Sequence, residues 1–175
     1  MRLTTHGLAG RAEHIRRAFG PALGVPLVRI ETAVMVEGGG PGGWDDWADL
    51  PVRLLFADGH RVGAAWSEFD RLELSTGPEV PAGPGWWDGA DPHNRNVRWV
   101  GGRVPGAGVL AGRPLTGTRV VPERDVLIVG AARFSAWSRL DLEFAGLTLS
   151  VFNALDENGY AVRHGAEGGG VRCLP

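Results

Sequence analysis

Residues 85–99, GWWDGADPHNRNVRW, hold three Trp, two Asp, one His, two Asn and two Arg. Asp88, Asp91 and His93 offer the oxygen and nitrogen donors that bind a transition metal. Such a ligand set needs a rigid frame and partners that orient each ligand, and this stretch shows no regular period. The reading with more weight is a loop whose Trp86, Trp87 and Trp99 pack down on a sheet while polar groups such as Asn94 face water. Trp44 and Trp47 likewise fall among loop residues, in GGWDDWAD (42–49). Tryptophans in loops serve as binding anchors or stack on sugars and cations. They also close the open ends of small β-structures. Both uses stay open here, and the neighbouring Asp45, Asp46, Asp88 and Asp91 favour recognition.

The remaining chemistry is mostly excluded. Asp45, Asp46 and Asp49 lack the spacing and flanking helices of a calcium loop. GAGVLAG (106–112) has glycines at GxGxxxG spacing, but Pro114 stops any helix that could meet a pyrophosphate. All 18 basic residues are Arg, which rules out a Schiff-base lysine and a Walker A loop. The five histidines form no HExxH or HxH, and no serine lies in GxSxG. Cys173 is the single cysteine, so neither an intrachain disulfide nor a cysteine zinc cluster can form.

Composition bounds the rest. A chain of 175 residues with 43% hydrophobic content can bury roughly 70% of its unfolded surface in one domain. The net charge is −2 and the arginines are dispersed, unlike the basic stripe of a nucleic-acid binder. No window of 18 apolar residues is present, so no membrane span is expected. The N-terminus lacks a secretory apolar core, and one cysteine fits a reducing compartment. The expectation is a bacterial, cytoplasmic protein of undetermined oligomeric state.

The elements that must position these loops follow from periodicity. Residues 5–19 predict a helix capped by Thr5, with Leu8, Ala12, Ile15 and Phe19 on a narrow stripe. From residue 26 the period becomes two. PLVRIETAVMV (26–36) predicts a strand, and 50–66 a hairpin turning in two residues at Asp58-Gly59. RLEL (71–74) and NVRWV (96–100) predict short strands. In the second half, GTRVV, VLIVGAARF and the hairpin 137–153, turning at Ala145-Gly146, repeat the pattern. VFNALDENGY (151–160) predicts a further hairpin turn at Asn158-Gly159, with Asp156 and Glu157 on its shoulder. The tail from His164 reads as flexible.

The expected fold is mainly β with one N-terminal helix. It is an antiparallel meander of about ten strands that forms a curled sheet, open barrel or sandwich. The chain reads as one domain, 1–175, with pseudo-repeat halves 22–77 and 113–164 joined by the loop-rich segment 78–112. Two alignments of the halves compete. One sets Phe56 on Phe144 and Gly59 on Gly146, the other sets 65–74 on 136–145. The favoured function is a non-enzymatic binding module of inhibitor or immunity type. Its ligand-binding residues would be Trp44, Trp47, Trp86, Trp87, Asp88, Asp91, His93, Asn94 and Trp99, with no catalytic residue and no cofactor. Two alternatives are a metal- or ligand-binding barrel, hydrolytic through loop carboxylates and His93, and a carbohydrate binder using Trp86 and Trp87.

Overall fold

The computed structural model describes residues 2–5, 8–35, 51–67, 71–77, 97–122, 126–129, 132–135, 138–153, 158–165 and 171–173. The first half forms one sheet. Strands β1 (Arg2–Thr5), β2 (Leu27–Met35), β3 (Val52–Phe56), β4 (Arg61–Ser67), β5 (Arg71–Thr76) and β6 (Val97–Gly101) lie in the order β1-β5-β4-β3-β2-β6. The second half forms another. Strands β7 (Leu115–Pro122), β10 (Ser138–Phe144), β11 (Leu147–Asn153), β12 (Asn158–His164) and β13 (Val171–Cys173) lie in the order β12-β11-β10-β7-β13. Every pairing between named strands is antiparallel, and the sheets do not close into a barrel. Between β7 and β10 the chain makes a separate hairpin, β8 (Val126–Val129) with β9 (Ala132–Ser135).

The two-residue period decides what is buried. On the first sheet Val52, Leu54 and Phe56 alternate inward, joined by Val62, Ala64, Trp66, Leu72 and Leu74. On the second sheet Leu140, Leu142, Phe144, Leu147, Leu149 and Val151 do the same, and all these side chains share one core. Each such side chain stabilises the fold by about 1.5–3 kcal/mol when fully buried, so two one-sided apolar sheets stack face to face. The Trp66 indole crosses between them and donates from Nε1 to the Val151 carbonyl at 2.9 Å. Helix α1 (Leu8–Phe19) lies between the β1–β5 side of the first sheet and the β7–β13 side of the second. It buries Ile15, Ala18 and Phe19 completely. His60 bonds from Nε2 to the Ala18 carbonyl at 2.8 Å, which satisfies one of the last carbonyls of the helix.

The sandwich has two unlike ends. Bridges Leu23–Leu115 and Pro26–Pro114 tie the start of β2 to the start of β7. The hairpin turns, the 3₁₀ turn Ala107–Leu110 and the helix C-terminus gather there: Arg113 donates from Nη1 to the Ala145 carbonyl, and Gly112 N–H to the Leu27 carbonyl. At the opposite end Trp66 meets Val151, and β2, β4, β7 and β11 run out into the longer connections.

Several local expectations are corrected. The helix begins at Leu8, and Thr5 belongs to β1, which pairs on β5 with Thr5 opposite Leu72. RLTT is too short and too polar to show a period, so its edge pairing left no signal. The first hairpin turns in three residues. Gly59 N–H bonds the Phe56 carbonyl, Phe56 N–H bonds the His60 carbonyl, and Gly59 takes φ +87°, a type I turn followed by a glycine bulge. Asn158 and Gly159 are strand residues opposite Asn153 and Phe152. Gly159 is needed because the Phe152 ring lies over it, with its Cε2 2.2 Å from where a Cβ would stand. The connection is 154–157, so Asp156 and Glu157 lie outside the described residues. Val171–Cys173 pairs with β7, where a flexible tail was expected. Among the described residues there are thirteen strands, where about ten were expected.

The turn at Ala145-Gly146 is as expected: φ is 36° and 87°, the two positive values of a type I′ turn. Alanine is a poor occupant of that region, at a cost of roughly 1–2 kcal/mol, whereas asparagine is a favoured one. Ala145→Asn should therefore raise unfolding stability by about 0.5–1 kcal/mol in urea titrations. An unchanged or lower stability would contradict this turn.

Candidate functional site

The alternation that fills the core leaves a second face on each sheet, and both outward faces carry buried ions. On the first sheet Glu31 in β2 stands opposite Arg53 in β3. Arg53 donates from Nε to Glu31 Oε2 at 2.7 Å and again from Nη2. Arg29 reaches the other Glu31 oxygen at 2.9 Å from a side chain that is 60% exposed. The Arg53 guanidinium carbon sits 4.4 Å above the Trp99 ring, a cation–π contact. Trp99, the one predicted site residue among those described, is thus half-buried in β6 under an arginine.

On the second sheet the corresponding pair has its charges exchanged. Arg119 in β7 stands opposite Asp141 in β10. The pairings place Val52, Leu54 and Phe56 at the positions of Leu140, Leu142 and Phe144, and Glu31 and Arg53 at those of Arg119 and Asp141.

Asp141 is fully buried and is the hub of its face. Arg139 forks onto it, Nε to Oδ1 at 2.9 Å and Nη2 to Oδ2 at 3.3 Å. Arg119 Nη2 donates to Oδ2 at 3.1 Å, and Arg163 Nη2 to Oδ1 at 3.1 Å. The Ser150 hydroxyl donates to Oδ1 at 2.5 Å and accepts from Arg163 Nη2 at 2.5 Å. Four strands are laced together by one carboxylate. Charge-assisted bonds of this kind are the strong ones, and the group that makes them costs most when stranded. The sequence gives no sign of a hub at Asp141, because Arg119, Arg139 and Arg163 converge only after three strand pairings. The available signal was parity, since each of the three falls on the outward position of its strand.

Trp44, Trp47, Trp86, Trp87, Asp88, Asp91, His93 and Asn94 lie outside the described residues, and so does the metal set Asp88, Asp91 and His93. Among the described residues no group of three or more His, Cys, Asp and Glu could hold a metal ion. No helix there is long and apolar enough to cross a membrane. Backbone pairing does fix where the tryptophan-bearing segments attach. Met35, where 36–50 departs, is opposite Val97, where 78–96 arrives. Both therefore join the first sheet at the end remote from the hairpin turns. Connection 68–70 joins it there too, between Ser67 and Arg71. On the second sheet, segment 123–137 leaves and re-enters where Pro122 pairs Ser138, and 154–157 joins Asn153 to Asn158. No protein-family model, curated protein or solved structure matches the chain.

The hub makes a sharp contrast in stability. Asp141→Asn strands three guanidinium groups on a buried face and should cost about 3–5 kcal/mol. Arg29→Ala, at an exposed ion pair, should change stability by less than about 0.5 kcal/mol. Chemical denaturation of the two variants checks this, and a cost below about 1 kcal/mol for Asp141→Asn would remove the hub from the account.

Proposed function

We propose that the protein is a non-enzymatic binding module of the cytoplasm that takes a protein partner at the long-connection end of its sandwich. The observation that carries this reading is where the two tryptophan-bearing connections attach: Met35, where one leaves, pairs Val97, where the other arrives. Trp44, Trp47, Trp86 and Trp87 belong to these two connections, and tryptophan is among the residues enriched in binding hot spots. Asp88, Asp91, His93 and Asn94 travel with them as polar contacts.

Charge supports a protein partner and suggests its sign. Segments 36–50, 68–70, 78–96, 123–137 and 154–157 contain 13 of the 20 acidic residues and 3 of the 18 arginines. The net charge of −2 therefore conceals a strong separation along the chain. An acidic, tryptophan-bearing end suits a basic protein surface, where opposite potentials speed encounter and indoles receive cationic side chains. An inhibitor or immunity factor is the kind of module that works in this way.

Affinity purification from the native source should recover a basic companion at equal stoichiometry, and raising the salt from 50 to 500 mM should weaken it. Trp86→Ala/Trp87→Ala should lose the companion while keeping the wild-type far-ultraviolet spectrum. Isolation of the wild type alone, or retention of the companion after all four of Trp44, Trp47, Trp86 and Trp87 are changed to alanine, would refute the proposal.

A further inference from the structure

Hairpin β8–β9 belongs to neither sheet. Segment 123–137 leaves the second sheet after Pro122 and returns at Ser138. Within it Val126–Val129 and Ala132–Ser135 pair only with each other among the described residues. A two-stranded hairpin alone is marginally stable at best in water, and it persists when further strands or a packed face support it.

Register shows what this hairpin offers. Leu127 stands opposite Phe134 and Val129 opposite Ala132, so these apolar residues fall on one face of the pleat. Val126 and Ile128 alternate with them, opposite Ser135 and Arg133. The two edges differ. The outer strands of the sheets, β1, β6, β12 and β13, carry Arg2, Arg98, Arg163 and Arg172, and β9 carries Arg133. A charge on an edge strand is a common guard against pairing with another chain. Strand β8, VLIV, has no charge, and its β-branched residues favour the extended state. Among the described edge strands it alone lacks that guard.

We propose that β8 pairs antiparallel with β8 of a second copy, about a two-fold axis at Ile128. This register sets Leu127 opposite Val129 of the partner subunit and joins the two hairpins into one four-stranded sheet with a doubled apolar face. Charge favours a second copy over an unlike protein. Glu123, Arg124 and Asp125 precede β8, and no charge follows it before Arg133. The antiparallel image therefore keeps the two charged flanks at opposite ends, where neither meets its like. Unlike partners are selected by complementary charge, and β8 offers none. The contact uses none of Trp44, Trp47, Trp86 and Trp87, so it goes beyond the recognition reading and does not rest on it.

Sedimentation equilibrium of the full chain across a wide range of concentration tests this. The wild type should be a reversible dimer. Ile128→Lys sets two like charges opposite each other at the axis and should weaken the dimer about tenfold or more, as should Ile128→Glu. The hairpin lies outside both sheets, so both variants should keep the wild-type far-ultraviolet spectrum. Mixed in equal amounts they should dimerise again, because the two new charges then have opposite signs. A wild type that stays monomeric, or that pairs through β8 with a different protein instead of itself, would overturn the proposal. So would a dimer that both variants form as tightly as the wild type, or a mixture that associates no better than either variant alone.

Discussion

The strict alternation of the pleat is the constraint behind everything else in this molecule. Val52, Leu54 and Phe56, and their counterparts Leu140, Leu142 and Phe144, give each sheet one apolar face and no more. Neither sheet can hide that face alone. Stacked, they bury both, and the Trp66 bond to Val151 fixes the sheets across the gap at one end. The helix follows from the same need. The β1–β5 and β7–β13 sides leave an opening that Ile15, Ala18 and Phe19 fill.

Alternation also dictates the outward faces. A strand that sends Leu140 and Leu142 inward must send Asp141 outward, and its neighbours set Arg119 and Ser150 beside it. Because the carboxylate is enclosed, it is held by charge-assisted bonds from three strands besides its own. The first sheet solves the equivalent position more simply, with Glu31 and Arg53 paired and the guanidinium resting on Trp99. A buried ion set is weak as a source of net stability but strict about geometry, so the more elaborate hub on the second sheet holds four strands to one register.

Much of the architecture could be read from the residues. The antiparallel β class, the single helix and the turn at Ala145-Gly146 all rest on local rules of period and turn chemistry, and the structure agrees. The errors came where a local rule met a tertiary one. Asn158-Gly159 has the composition of a type I′ turn, yet Gly159 is there to make room for the Phe152 ring across the ladder. Arg2–Thr5 and Val171–Cys173 have no period of their own and become strands because β5 and β7 offer free edges. The arginine hub was invisible for the same reason: its three arginines lie 20 to 44 positions apart in sequence and meet only through strand register. Of the predicted site, Trp99 alone lies among the described residues, so the recognition reading rests on where its loops attach.

A recognition end built on both sheets requires that they behave as one rigid body. Native-state hydrogen exchange measures that directly. The amides of Leu54 and Val62 on the first sheet, and of Leu142 and Leu149 on the second, should exchange through a single opening, with equal free energies and equal dependence on denaturant. If one sheet opens at a free energy several kcal/mol below the other, the halves are separate units and the shared platform does not hold.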